Sequence, residues 1–405
     1  MDQRQRIAIL SEAALGDRDG HSPPGLQRPG DPVGITAVRV PGGGCTRLMR
    51  IMQTNACSLS CGYCPTFAGG RVKRVALSPE QVARTFVEAH RAGLADGLFL
   101  TSGVPGRPHR AMDRLLDAVE ILRTREGFLG YVHLKILPGA EAAQAERAAE
   151  LANRVSINLE SPGDGYVRAL AREKNFSGDL LPQLERVGRI FRETRAYRHR
   201  SRFRPAGTTT QFVVGAAGER DTELLSLVAR LERERLLHHA HFSAFQPVIG
   251  TPMEGVTPVP AMREHRLYQA EHLLRDYGFR FDELVFEADG NLALDRDPKT
   301  AWARAHDELF PIDVLAAPLD LLLRVPGIGP LSARTLVGVR RRTVFRGLTD
   351  LRKLGIDTTR SAYYLTLGGR RLATAPRAEQ LRLFRHGQHL TQGPMKTAVP
   401  PCAYR

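Results

Sequence analysis

The chain has 405 residues, 42% of them hydrophobic, and carries 58 Lys and Arg against 43 Asp and Glu, a net charge of +15. That is enough apolar material for a large core and two domains, and the basic surplus favours a polyanionic partner, nucleic acid before membrane. Five cysteines, three of them in one run, exclude a disulfide framework; no long apolar run or signal-peptide core is present, so a cytoplasmic protein is expected.

Residues 1–46 differ in character from the rest of the chain. Residues 2–15 can form a helix, but the stretch from His21 to Gly44 is crowded with Gly and Pro and reads as an irregular arm. From Arg47 onward short apolar runs alternate with amphipathic segments, the pattern of parallel β/α units. The expected strands are Arg47–Gln53, Gly97–Thr101, Tyr131–Leu137, Arg154–Glu160, Thr208–Val214 and Ala240–Gln246. Helices fall between them; Ser78-Pro79-Glu80-Gln81 offers an N-cap, a proline at the first helical position and a capping-box Gln. A last helix over 260–277 shows Leu267, Ala270, Leu273 and Leu274 on one face. Six such units predict an α/β fold, a partial (β/α)6 TIM-like barrel over 47–290, with its chemistry in the loops at the strand ends.

The first of those loops holds Cys57, Cys61 and Cys64 at spacing C-x3-C-x2-C. Three thiolates so close can hold three corners of a 4Fe-4S cluster and leave one iron open, as a catalytic centre requires. Zinc would need a fourth ligand from a second pair, and the chain has none at that spacing. Cys45 and Cys402 are too few for a second cluster and are read as incidental. The spacing, with the aromatic Tyr63 before the last cysteine, resembles the radical S-adenosylmethionine (radical SAM) signature. The resemblance implies that the open iron is chelated by the amino and carboxylate groups of S-adenosyl-L-methionine. One electron would then cleave it to a 5′-deoxyadenosyl radical that abstracts hydrogen from substrate. It also implies an electron donor such as flavodoxin or ferredoxin.

Other strand ends point to the same site: Thr101-Ser102-Gly103-Val104, Leu137-Pro138-Gly139, Asn158-Leu159-Glu160-Ser161 and Val214-Gly215-Ala216. Glycine admits close backbone approach and hydroxyls offer hydrogen bonds. The superfamily usually has Gly-Gly-Glu after the second strand, where Thr101-Ser102-Gly103-Val104 stands here without an acid. Cofactor-binding candidates are therefore Tyr63, Thr101, Ser102, Gly103, Asn158, Glu160 and Gly215. Further along, Arg186, Arg189, Arg192 and Arg195 recur every three residues, followed by Arg198, Arg200, Arg202 and Arg204, with Tyr197 and Phe203 interleaved. On a helix this is a charged, usually solvated face.

Residues 291–311 read as a linker and 312–372 as a small all-α module, with a tail over 373–405. In the module, Leu319–Arg334 reads as helix, tight turn, helix about Pro326-Gly327-Ile328-Gly329. This turn resembles the helix-hairpin-helix motif of DNA-repair proteins. Two glycines expose backbone N–H groups where a helix start favours phosphate, giving contact without sequence reading. Residues 324–377 hold eleven Arg and one Lys against Asp350 and Asp357, a net of +10. Pro326, Gly327, Ile328, Gly329, Ser332, Arg334, Arg340 and Arg341 are the DNA-binding candidates.

The chain also resembles a narrower family, the DNA modification/repair radical SAM proteins. The resemblance runs through Thr54–Cys57, Gly97–Val104, His133–Ala140, Arg263–Ala270, Asp297–Lys299 and Val325–Gly329, over roughly residues 47–372. Lys135, Arg263, His265 and Tyr268 fall in these stretches without an assigned role. DNA is the implied target, and the reaction is not defined by the family. The alternatives are radical SAM modification of structured RNA, a DNA-binding protein with a structural iron-sulfur cluster, and a small-molecule enzyme with an unrelated tail.

Overall fold

The computed structural model describes residues 1–14, 34–39, 45–196 and 205–373. Cys402, the tail from 374 and Arg198–Arg204 of the arginine run lie outside the described residues, as do the side chains of Cys45 and Arg195. Contacts divide the described residues into two units, the first made of residues 1–219 and 230–264, the second of 220–229 and 265–373.

The first unit is built on a seven-stranded sheet in sequential order: β1 (Ile35–Arg39), β2 (Cys45–Met52), β3 (Gly97–Thr101), β4 (Tyr131–Lys135), β5 (Arg154–Ser156), β6 (Gly207–Val214) and β7 (His239–Ala244). Strands β2 to β7 are parallel, and the sheet curls into a half-barrel. The connecting helices are α2 (Pro79–Arg91), α3 (Pro108–Thr124), α4 (Ala142–Leu151), α5 (Asp164–Leu170), α6 (Leu181–Ala196) and α7 (Asp221–Arg233), with α8 (Ala261–Asp276) after the last strand. The Ser78 cap forms as expected: its Oγ accepts from Gln81 N at 3.2 Å while Gln81 returns an acceptor to Ser78 N at 2.9 Å.

Strands covered on both faces should be apolar throughout, and Gly97–Thr101 is buried at every position. Leu98, Leu100, Val132, Leu134, Val155, Phe212 and Phe242 fill the core. Each large side chain buried there contributes about 1.5–3 kcal/mol. At the end of α3 a buried Arg123 donates to the carbonyls of Leu151, Phe128 and Gly130 and to Asn153 Oδ1, at 2.7–2.9 Å. Burial pulls its pKa down to about 10.

The N-terminus holds one expected helix and one departure. Helix α1 (Gln3–Ala13) packs against β2 with Leu10 and Ser11 buried. Residues 35–39, read as irregular, form β1, antiparallel to β2 in register Ile35 with Met49. Gly34 at φ +85° allows the entry, since a side chain there would strike Ser11.

In the second unit, residues 291–311 hold α9 (Pro298–Ala305), whose Trp302 is buried against Phe279, His306 and Phe310 rather than lying in a linker. Beyond it come β8 (Ile312–Asp313), α10 (Leu319–Arg324), α11 (Pro330–Val339), α12 (Leu348–Lys353), α13 (Thr358–Ser361), β9 (Leu365–Leu367) and β10 (Arg370–Arg371). The module is thus not purely helical: β8, β9 and β10 make a small sheet, closed by a hairpin at Gly368-Gly369, both at positive φ.

Candidate cofactor site at the strand ends

The stretch between β2 and α2 is organised by its own polar side chains. Thr54 Oγ1 donates to Val75 O at 2.8 Å, and Asn55 pairs with the backbone of Lys73 and Val75 at 2.8 Å each. Arg74 reaches the carbonyls of Asn55, Thr66, Phe67 and Gly70 at 2.6–3.1 Å. One guanidinium thus ties the two ends of the loop together around the cysteines. Farther segments hold it from outside. Ser60 N and Oγ donate to Glu173 Oε2, Gly62 N to Leu170 O, and Met253 N to Gly62 O.

The loop after β3 is laced to the cysteine loop through backbone. Gly103 N donates to Thr54 O at 2.7 Å, Ser58 N to Val104 O at 2.8 Å, and Val104 N to Cys57 Sγ at 3.4 Å. A Cβ on Gly103 would fall on the Ala56 carbonyl. This glycine therefore admits the cysteine loop itself, a nearer demand than the approach of a ligand.

A cavity of about 790 Å³ opens at these strand ends. Cys57, Cys61, Cys64, Tyr63, Thr101, Ser102, Gly103, Asn158 and Glu160 all border it. Gly215 does not: at φ +83° its N–H meets Glu219 Oε1, and a side chain would strike Val259 and Arg263. It shapes a turn. Arg263 likewise serves that turn by donating to Glu219 O at 2.7 Å, while His265 Nε2 meets Gln269 on the same helix. Lys135, Gln211 and Ser243 join the polar lining, and α1 contributes Ile9, Glu12 and Ala13. Docking of α1 is a tertiary property that the helical pattern alone did not disclose.

Sequence reasoning passed over Lys174. It is buried, with Nζ 2.6 Å from Glu160 Oε1 and 3.2 Å from the Tyr63 hydroxyl. Burial is the largest influence and opposes its charge, but Glu160, by charge and hydrogen bond, together with Cys61 and Cys64 outweighs it and holds the pKa above the ordinary lysine value. Glu160 itself sits at φ +64°, in the left-handed region that non-glycine residues seldom adopt. Its backbone bonds on both sides to β6, accepting from Val213 N and donating to Gln211 O. That pairing over-determines the conformation.

The three cysteines form no disulfide, with Cys61 buried and the others half-buried. Burial pushes Cys61 up to about 11 and Cys64 upward too, so metal loading must remove protons. Among the described residues no three ligand side chains are already drawn together for a metal. The donor set still fits the cluster: three soft thiols on one braced loop, all on one cavity, suit iron-sulfur rather than a hard cation.

A curled parallel half-barrel with three cysteines in the loop after its first parallel strand defines an enzyme class with chemistry at strand ends. Residues 51–229 match the family model of the radical SAM superfamily, whose enzymes use a 4Fe-4S cluster and S-adenosylmethionine. No curated protein matches the chain. Among solved structures it is similar to HydG, a maturase of FeFe-hydrogenase, at 13% identity and TM-score 0.43 over 55% of this chain and 48% of that one. HydG from Carboxydothermus hydrogenoformans gives 15% and 0.42, over 55% and 50%. Methylornithine synthase (PylB) gives 16% and 0.39, over 56% and 60%. The chain thus spans about half the length of the HydG chains it matches.

In the second unit, the turn joining α10 to α11 holds Gly327 at φ +87°, where a Cβ would strike Asp357 O and Arg360. Gly329 is different: a Cβ there meets only the Tyr277 hydroxyl at 3.6 Å, an ordinary contact. Pro326 and Ile328 are buried, and Ser332 Oγ donates to Gly355 O at 3.0 Å. Arg340 donates to Val314 O and Ala317 O, so it braces the module instead of reaching outward. Arg334, Arg341 and Arg342 are exposed. Lys299, buried on α9, donates to Ile328 O at 2.6 Å and lies 4.5 Å from the Tyr277 ring centre. It holds the turn from behind.

Proposed function

We propose that the protein is a radical SAM enzyme acting on DNA, with Cys57, Cys61 and Cys64 as cluster ligands and the α10–α11 turn as a helix-hairpin-helix that grips the phosphate backbone. The observation that carries the DNA reading is the approach to α11. Gly329 leaves its N-terminus open, with Arg334 exposed on α11 and Arg341 and Arg342 exposed just beyond it, in a stretch of net charge +10. Such contacts hold a backbone without reading bases.

A bound cluster and adenosylmethionine supply one-electron cleavage of the cofactor and a radical that takes hydrogen from substrate. The chain's own residues bind and orient. Thr101 and Ser102 bring hydroxyls to the cavity wall and Asn158 an amide. Glu160 provides the acid lacking after β3, a partner for a cofactor N–H or O–H. Burial of the cavity floor keeps water from a reactive centre. A hydrogen within stacked DNA is out of reach of such a cavity, so the target is a flipped or single-stranded nucleotide. A reduced electron donor such as flavodoxin or ferredoxin serves the cluster.

The test is anaerobic incubation of reconstituted protein with adenosylmethionine, reductant and DNA, RNA or neither, with mass spectrometry of nucleosides and of 5′-deoxyadenosine. A DNA-derived product supports the reading. An RNA product transfers it to RNA, and 5′-deoxyadenosine unchanged by either nucleic acid overturns it.

A further inference from the structure

The carboxylate of Glu160 is divided between two fates. Oε1 accepts from Lys174, while Oε2 is buried with no close hydrogen-bond partner among the described residues; the Tyr63 hydroxyl interacts with the carboxylate more loosely. An unsatisfied buried acceptor is destabilising, and more so when charged. The backbone holding it there is itself at positive φ. Two costs at one side chain bordering the cavity mean that the cavity's occupant brings the missing donor.

Lys174 decides which oxygen is left over. Its ammonium is fixed at Oε1 and at the hydroxyl of Tyr63, which lies between two of the cysteines. Its stem leaves the chain four residues after α5, where Glu173 also pins Ser60 of the cysteine loop. Neighbouring residues of one short segment thus grip the cysteine loop and the acid together.

We propose that Lys174 is a positioning residue: it immobilises Glu160 so that Oε2 alone accepts an N–H or O–H donor of bound adenosylmethionine, and it fixes that acceptor relative to the cysteine loop. The inference rests on the radical SAM reading of the cavity. Without Lys174 the carboxylate turns or shares its oxygens, and the acceptor is lost although Glu160 remains.

The test is a double-mutant cycle on cluster-reconstituted protein, with adenosylmethionine affinity measured by equilibrium binding. Lys174→Met, Glu160→Gln and the double variant should each retain three cysteine ligands and bind iron and sulfide like the parent. Each single change should weaken adenosylmethionine binding at least tenfold, and the double variant should be no weaker than Glu160→Gln alone. Losses that multiply in the double variant mean that Lys174 touches the cofactor itself, and unchanged affinity in Lys174→Met removes its role; either result overturns the proposal. Methionine alone and 5′-deoxyadenosine alone locate the donor: one of them should lose affinity in Glu160→Gln, and loss with neither overturns the assignment. If the parent binds no cluster or no adenosylmethionine, the cavity reading fails, not the Lys174 inference. Should Lys174→Met melt early, the charge-free double variant supplies the folded comparison.

Discussion

At the scale of single residues, the cluster ligands should behave as a set. Cys57→Ala, Cys61→Ala or Cys64→Ala should each abolish the 4Fe-4S absorption and adenosylmethionine cleavage, while Cys45→Ala and Cys402→Ala leave both intact; iron analysis and 5′-deoxyadenosine yield check this. Gly103→Val should lower cluster content as well as cofactor affinity, because its side chain would collide with the Ala56 carbonyl. Normal iron content with weakened binding would place Gly103 on the cofactor alone. The two turn glycines should separate. Gly327→Ala should lower the melting temperature of the second unit, since φ +87° and a blocked Cβ position oppose it. Gly329→Ala, at an ordinary φ with room for a methyl, should cost within about 1 kcal/mol of stability yet weaken DNA binding. The cysteines were legible because spacing along the chain is their geometry. Lys174 was not: in Arg172-Glu173-Lys174 it looks like any solvated charge, and its partners Glu160 and Tyr63 come from other loops.

At the scale of elements, β3 was legible to the residue and the other five parallel strands to within a few positions, because short apolar and β-branched runs recur between amphipathic segments. The fourth expected strand, 154–160, is regular only over Arg154–Ser156; Glu160 then turns to positive φ and rejoins β6 by a single bridge at Phe212. That break is where the candidate acceptor sits, and periodicity has no view of it. The hairpin at Gly368-Gly369 had a turn signal, but β9 and β10 are too short to announce themselves. Helix α9 was hidden within residues read as a linker, although Asp297-Pro298 is a helix start. Its cap carries a prediction. Burial pushes the Asp297 carboxyl up, but Arg360 at 2.7 Å and Thr300 together outweigh it and hold it below its ordinary value. A carboxylate depressed by folding adds stability above its unfolded pKa, near 3.8, and loses it as pH falls through the folded value. Asp297→Ala should therefore cost about 1–3 kcal/mol near neutrality and less in acid, as read by denaturant titration at several pH values.

At the scale of the whole molecule, the charge surplus predicts binding that weakens steeply with salt. Arg334→Ala and Arg341→Ala should each reduce the slope of log affinity against log salt by about one, with little dependence on DNA sequence. Arg340→Ala should instead destabilise the module, because that side chain is bonded to Val314 and Ala317. Removing residues from 311 on is a poor way to isolate the barrel. It would strip Phe310 of its Tyr364 contact at 5.0 Å and open the core around Trp302, so the truncated chain should aggregate. Light scattering of the truncated and full chains decides this. Read from sequence, the change of unit falls at residues 291–311, whereas contacts place it at 265 and add residues 220–229 to the second unit, a grouping made by long-range contacts that no local pattern announces.

The bond from Met253 N to Gly62 O also fixes a sequence in time. Because each parallel strand pairs with its predecessor, the sheet can grow as the chain leaves the ribosome. Yet one of the loop's outer braces is made almost two hundred residues later, about 10–40 s afterwards at ordinary rates of synthesis. Until residue 253 has been made, the cysteine loop must rely on its local braces from Thr54, Asn55 and Arg74.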